Sequence, residues 1–374
     1  MRARRTRSQP LLLVGAGLLS IALLLPPATA SGDVRARTVA SGLNNPRGIF
    51  LGSGRSFFVA EAGAGGSGPC QPGPFGTTCV GMTGAVTHVT NGSLDRLVRL
   101  PSIATTDGSF AFGPHDVAKD EGYGDDGALF ATVGLGGDAA YKAGFGNKGN
   151  DLATLVRITR SGDMQVLADL LAYEQAHNPA GGVMESDPYG ILRRGDASII
   201  TDAGANDLLK VTDRGRISTL AVFPTRMVYF DGGEVPMDAV PTTVVRGPDG
   251  AYYVGQLTGF PFPRHGARVF RVVPGEKPTV WARGFTNIID MAFHDGSLYV
   301  VEIAHNSLAA SAPFGALLRL NPDGSKTVLD KDLLFPTSLA FIPGSDDVLV
   351  TNCGICAGGG EVLRIELQGG NRRA

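Results

Sequence analysis

The chain is 374 residues long with a formal charge of −2, and beyond its first residues it carries no basic tract, which excludes a nucleic-acid partner. Glycine is abundant at 53 residues while sustained amphipathic helices are scarce, a balance that excludes helical bundles and favours many short strands joined by tight turns. Length alone leaves one or two domains open.

At the N-terminus Arg2, Arg4, Arg5 and Arg7 precede an apolar core from Leu11 to Leu25 and a small-residue site at Ala28-Thr29-Ala30, the layout of a secretory signal peptide. A membrane anchor needs about 20 apolar residues, whereas this run of about 15 stops at Pro26-Pro27. Cleavage after Ala30 is expected, leaving a secreted chain with no membrane span. Its 29 basic and 35 acidic residues give a formal charge of −6. Four Cys in an exported chain suggest two disulfides. Cys70 with Cys79 and Cys353 with Cys356 is the local choice, and a cross-blade pairing involving Cys70 and Cys353 stays open. No thioredoxin-like βαβ pattern surrounds the Cys353-to-Cys356 CxxC, so a structural bond is expected there.

From residue 36 onward the chain repeats. One copy is complete between Asp187 and Gly215: a Pro-aromatic-Gly opening, two β-rich runs, an acidic-polar corner from Asp202 to Asp207, and a third run. The same grammar opens at Asn45-Pro46-Arg47-Gly48, Gly113-Pro114-His115-Asp116, Val240-Pro241-Thr242-Thr243, Ile289-Asp290-Met291 and Pro336-Thr337-Ser338, giving six copies. The sixth is one strand short, and Arg37 to Leu43 matches the missing strand in pattern. Four short strands per copy, with an N-terminal strand completing the last, predict an all-β fold: a six-bladed β-propeller in one domain spanning 31–374, its blades covering about 36 to 368. A β-sandwich suits short strands equally well but does not account for the ordered fourfold grammar. A single Trp, Trp281, excludes the WD40 type. Apolar runs such as Phe57 to Ala60 and Leu298 to Val301 should pack blade on blade.

Inner-strand openings and second-strand exits share one face of a propeller. The long segments Ala62 to Thr83, Gly134 to Ala153, Ala172 to Asp187, Pro224 to Ala239, Leu257 to Ala267 and Ile303 to Gly315 all reach that face, which is therefore expected to be functional. Arg47, His115, Asp116, Tyr189, Gln256, Asp290 and Asn352 are candidate ligand-binding residues there. Glu61, Asp202, Asn206 and Glu302 are candidate ligands of Ca2+ or another divalent metal, since hard cations want several oxygens. Strand-end capping is the competing role for the same Asp and Asn residues. His115-Asp116 resembles half of an acid–base pair. The acidic run Asp120 to Asp126 lacks EF-hand spacing. No GxSxG, HExxH or phosphate-cradling GxxxxGK occurs.

Leu43-Asn44-Asn45-Pro46-Arg47-Gly48, Ser186 to Gly190 and the Asp202-Ala203-Gly204-Ala205-Asn206 corner resemble the ScyD/ScyE family of exported proteins, across essentially the whole mature chain. The resemblance implies export and a six-bladed propeller of the NHL or TolB-like group, and brings no catalytic residues with it. The favoured reading is a secreted binding or accessory propeller whose loop-rich face holds a small molecule, glycan or protein. The alternative is a gluconolactonase-like, metal-assisted hydrolase of a lactone or ester with His115 or Asp116 as base. A quinone-dependent sugar dehydrogenase would need a basic, His-rich cofactor bed, which is not evident.

Overall fold

The computed structural model describes residues 34–119 and 127–367. The signal segment and the run Asp120 to Asp126 lie outside the described residues. Strand β1 (Arg35–Leu43) comes first. Blade 1 follows as β2 (Pro46–Leu51), β3 (Phe57–Glu61), β5 (Gly76–Thr90) and β6 (Ser93–Thr105), with a short β4 (Cys70–Gly73) also paired to β5.

Blade 2 is β7 (Pro114–Lys119), β8 (Leu129–Val133), β9 (Thr154–Ile158) and β10 (Met164–Asp169), and blade 3 is β11 (Pro188–Arg194), β12 (Ala197–Asp202), β13 (Asp207–Thr212) and β14 (Ile217–Val222). A two-stranded hairpin, β15 (Arg226–Phe230) and β16 (Gly233–Met237), stands between blades 3 and 4. Blade 4 is β17 (Pro241–Arg246), β18 (Tyr252–Gln256), β19 (Ala267–Val272) and β20 (Thr279–Phe285); blade 5 is β21 (Ile288–His294), β22 (Ser297–Glu302), β23 (Gly315–Leu320) and β24 (Lys326–Leu333). Blade 6 is β25 (Ser338–Phe341), β26 (Asp347–Asn352) and β27 (Gly360–Glu366), closed by β1.

The closure matches the sequence pattern: Thr38 pairs with Leu363 and Ala40 with Val362. Inner strands β2, β7, β11, β17, β21 and β25 touch their neighbours in that order, and β25 returns to β2, so the ring is complete.

Hydrophobic packing explains why the strands read as near-continuous apolar runs. Each blade is buried on both faces, like a strand in a covered sheet. In β12, Ile200 joins the cluster with Phe130 and Leu155 of blade 2, while the adjacent Ile199 joins the cluster with Val254 and Phe270 of blade 4. The expected core runs are buried: Val59, Ala60, Val300 and Val301 have no solvent exposure.

The long segments carry structure of their own. In Ala62 to Thr83 the β4–β5 hairpin is closed by the Cys70–Cys79 disulfide, and Cys353 and Cys356 pair locally after β26. Gly134 to Ala153 contains helix α1 (Ala139–Ala143) and a 3-10 turn at Gly146–Gly149. The link between blades 2 and 3 begins with helix α2 (Leu170–His177), whose first turn is capped by Asp169 accepting from Ala172 N at 3.0 Å and which ends on left-handed Asn178. The β15–β16 hairpin replaces the irregular insertion expected at Pro224 to Ala239. Asp231 and Gly232 at its tip have φ of 46° and 86°, the left-handed pair that a tight two-residue turn requires.

Candidate functional site at the channel mouth

Five of the six inner strands begin opposite the last residue of their neighbour: Pro46 pairs with Glu61, Pro114 with Val133, Pro188 with Asp202, Pro241 with Gln256 and Ile288 with Glu302. Openings and exits therefore share one face, as expected. Directly after each of these pairs the register slips. A bulge of this kind re-aims a side chain out of the ladder, and Arg47, His115, Tyr189, Thr242 and Ile289 are the residues that occupy it.

Alternate blades spend this position on holding the ring together. In blade 2, His115 Nδ1 lies 3.3 Å from the carbonyl oxygen of Pro188 in blade 3. In blade 4, Thr242 Oγ1 donates to Ile288 O of blade 5 at 2.9 Å; in blade 6, Thr337 Oγ1 donates to Pro46 O of blade 1 at 2.7 Å. Arg47 of blade 1 reaches instead to Gly354 O, just past β26 of blade 6, while Tyr189 and Ile289 make no such side-chain bond among the described residues.

One residue deeper lies a second tier: Gly48, Asp116, Gly190, Thr243, Asp290 and Ser338. Asp116 accepts from Val117 N at 2.8 Å and from Ile191 N of blade 3 at 3.0 Å. Asp290 accepts from Thr243 Oγ1 and Met291 N at 2.7 Å, from Ser338 Oγ at 2.6 Å and from Leu339 N at 3.0 Å. These carboxylates come from opposed blades. Burial, then the charge of Asp290, pushes Asp116 well above the usual carboxylate range; Asp290, with more donors, is raised by burial against their pull. The two form the channel's waist, above a cavity of about 180 Å³ that continues toward Lys119 and Arg193 at the short-turn end. Gly48 is obligatory here, because a Cβ would stand 1.9 Å from Asp116 Oδ1.

Above the waist, Arg47 is only 8% exposed, and its Nη1 donates to Gly354 O and its Nη2 to Ala111 O at 2.9 Å. Its Nε is buried without a partner, and no carboxylate pairs with it among the described residues. His115 Nδ1 also lies 3.5 Å from Asp187 Oδ1, and its ring sits 4.5 Å from that of Tyr189. Burial, reinforced by the Arg47 charge, holds His115 well below the usual imidazole range, so the ring is neutral at pH 7. The Pro188 carbonyl beside Nδ1 can only accept, so that nitrogen carries the proton and Nε2 keeps its lone pair. Burial and then the Asp202 charge push Asp187 well above the ordinary range. Asp187 is a mouth residue the sequence reading passed over; its place just before Pro188, where blade 1 has Asn45 and blade 5 has Asn287, is the signal that marks it.

The exit residues do different work. Glu61 accepts from Asn44 N at 2.7 Å and from Thr87 Oγ1, and pairs with Arg96 at 3.0 Å. Asp202 accepts from Asp187 N at 2.7 Å, Ala205 N at 3.0 Å, Gly204 N at 3.1 Å and Ser186 Oγ at 2.5 Å. Glu302 accepts from Thr286 N at 2.6 Å and meets His305 Nδ1. Asn352 accepts from Leu334 N at 2.9 Å and donates to Glu361, while Gln256 Nε2 donates to Ala239 O at 3.2 Å. Each side chain thus clasps the linker that leads into its own blade. Asn206, at φ 59°, accepts from Val240 N at 2.9 Å and so holds the linker into blade 4. The four residues expected to share a metal are not brought together. Tyr189 and Asp202 are likewise separate in their contacts, since Asp202 turns to the Ser186-Asp187 linker and Tyr189 to His115. Among the described residues, the one group of three or more His, Cys, Asp or Glu with ligand atoms within 4.8 Å is His294, Asp295 and Asp346, at the short-turn end.

Exposed rings stand on the long segments around the mouth. Phe75 stacks on Phe110 at 4.8 Å, and Phe230 meets Phe260 edge to face at 4.9 Å. Tyr229, beside Phe230 on the hairpin, is 75% exposed.

Comparison with protein-family profiles and with curated proteins gives no match. Among solved structures, the chain is similar to the PQQ-bound form of aldose sugar dehydrogenase from Streptomyces coelicolor, at 15% identity over 90% of this chain and 98% of that one with a TM-score of 0.56. It is also similar to a structural genomics protein of unknown function from Bacteroides thetaiotaomicron, at 8% identity over 90% of this chain and 76% of that one with a TM-score of 0.53. Virginiamycin B lyase from Staphylococcus aureus aligns at 12% identity over 90% of this chain and all of that one, with a TM-score of 0.49. At such identities the first two likenesses are ones of fold alone, and the six blades of this chain rest on its own sheets.

Proposed function

We propose that the chain is a secreted propeller of the ScyD/ScyE type that binds a carboxylate-bearing small molecule or glycan over the channel mouth. Arg47 carries the proposal: it is a buried guanidinium at the mouth that donates to the carbonyl oxygens of Gly354 and Ala111, feels the Asp187 carboxyl without forming an ion pair with it among the described residues, and keeps its Nε without a partner. A planar, permanently charged fork in that setting favours a carboxylate. The Tyr189 hydroxyl, which makes no hydrogen bond within the protein among the described residues, supplies a polar handle beside it. The exposed rings of Phe75, Phe110, Tyr229, Phe230 and Phe260 offer apolar faces around the rim, the kind of surface that marks a binding site. Export is supported by the N-terminal signal layout together with the Cys70–Cys79 bond.

The hydrolase alternative draws no support from Glu61, Asp202 and Glu302, whose oxygens are taken by protein donors. The test is calorimetric titration with acidic and neutral oligosaccharides of equal length, and with aromatic carboxylic acids against their amides. Acidic ligands should bind, and Tyr189→Phe should weaken them without unfolding the protein. Equal binding of neutral and acidic partners, or no binding by any acidic ligand tried, refutes the assignment to Arg47.

A further inference from the structure

Two buried carboxylates away from the mouth have nothing to bind them. Glu174, on helix α2, is 2% exposed, and Asp207, at the start of β13, is wholly buried; none of their four oxygens has a hydrogen-bond partner among the described residues. One helical turn beyond Glu174, Asn178 donates its Nδ2 to Gly182 O at 3.2 Å and leaves its Oδ1 buried with no donor. This is unlike the treatment of Asp202 next to them, which receives four donors. The groups feel one another: burial, then Asp202, then Glu174 push Asp207 well above the usual range, and burial with Asp202 raises Glu174 to about 7.

A buried carboxylate without a partner is resolved by a proton or by a cation. Two protons let each acid's O–H bond one other oxygen, which still leaves at least one of the five oxygens bare. A single hard cation held among them would satisfy the carboxylates and the amide together. The donor set is oxygen alone, carboxylates with an amide, which is the chemistry of calcium and offers nothing to a soft or nitrogen-seeking metal. Asp202, whose carboxyl is raised by burial against the pull of its four donors, lies behind the pair. We infer that Glu174, Asp207 and Asn178 form a binding site for a calcium-class divalent cation that ties helix α2 to blade 3. The inference is independent of the ligand proposed for the mouth.

The full chain, stripped with EDTA and returned to metal-free buffer at pH 8, is titrated with calcium chloride by calorimetry and followed by thermal unfolding. The expected result is one calcium per chain and a rise of several degrees in unfolding temperature, because a ligand that binds only the folded state stabilises it. Glu174→Gln should weaken calcium binding by at least about tenfold, the loss seen even for outer partners of a metal, and should unfold at an unchanged or higher temperature without metal. Asp346→Asn, at the surface cluster of the opposite face, should leave the response intact. A stripped wild-type chain indifferent to calcium overturns the site. So does a calcium response that survives Glu174→Gln, or one that disappears with Asp346→Asn. Should Asp207→Asn fail to fold, Glu174→Gln and Asn178→Ala decide the matter.

Discussion

Replacing Asp202 by Ala removes one acceptor from four donors at once, and the size of the loss distinguishes a linker clasp from a simple cap. The amides of Asp187, Gly204 and Ala205 and the hydroxyl of Ser186 all point at this carboxylate, which has no exposure. A hydrogen bond to a charged acceptor is worth about 1.5–3 kcal/mol net, and bonds to one acceptor do not add. Ser186 can turn its hydroxyl elsewhere, but the amides are fixed by the backbone and would be left bare. We expect a loss of ~3–5 kcal/mol, since each buried amide left without an acceptor costs about 1–3 kcal/mol and the three do not fully add; an ordinary capping residue costs ~0.5–2 kcal/mol. Urea unfolding of the full chain measures it as a shift in midpoint at constant slope. A loss below ~1 kcal/mol would mean that the Ser186-Asp187 linker stays in place without Asp202, and the clasp reading would be wrong.

Two further outcomes follow from the same contacts. Glu174 has its folded pKa raised to about 7, so between its unfolded value of about 4.3 and about 7 the folded state holds the extra proton; without metal, stability should be fully present at the acid end of this window and fall as pH rises through it. Asp187 and Asp207 are shifted in the same direction, while His115, held neutral, adds stability as pH rises over the same window; the check is therefore the difference from Glu174→Gln, and a variant whose stability falls from pH 5 to pH 8 as steeply as that of the metal-free parent contradicts the Glu174 assignment. Gly48→Ala must displace Asp116 and release Ile191 N, with an expected cost of ~1–3 kcal/mol from overpacking; an Ala variant as stable as the parent would show that Asp116 is not locked at the waist.

The ring was legible because its information is local and repeated. Each blade restates the same opening, and the strand missing from the sixth copy has its match at Arg37 to Leu43. What the acids do was not legible in the same way. Glu61, Asp202 and Glu302 lie at the end of the second strand, as expected, but whether such a carboxylate faces a channel or a linker depends on amides one or two residues before the inner strand of the same blade, such as Asn44 and Thr286. That proximity arises only once the blade is folded. Glu174 was missed for a further reason: helix α2 is eight residues long, too short for periodicity to show that its acid faces inward. The hairpin at Arg226 to Met237 did carry a readable signal, Asp231-Gly232 between two β-rich runs, which the search for whole blades passed over.

The latch strand has a consequence for how the protein is made. Thr38 reaches Glu361 across 323 positions of sequence, at 2.8 Å, so a ribosome must finish almost the entire chain before the sixth blade has its fourth strand. Until then β1 and the outer edge of β27 are each a row of unanswered amides and carbonyls, which is the surface that recruits foreign strands. A product shortened at either end never loses that exposure, whereas the complete chain loses it in one event. Ring closure thereby acts as a test of full length, applied by the geometry of the fold.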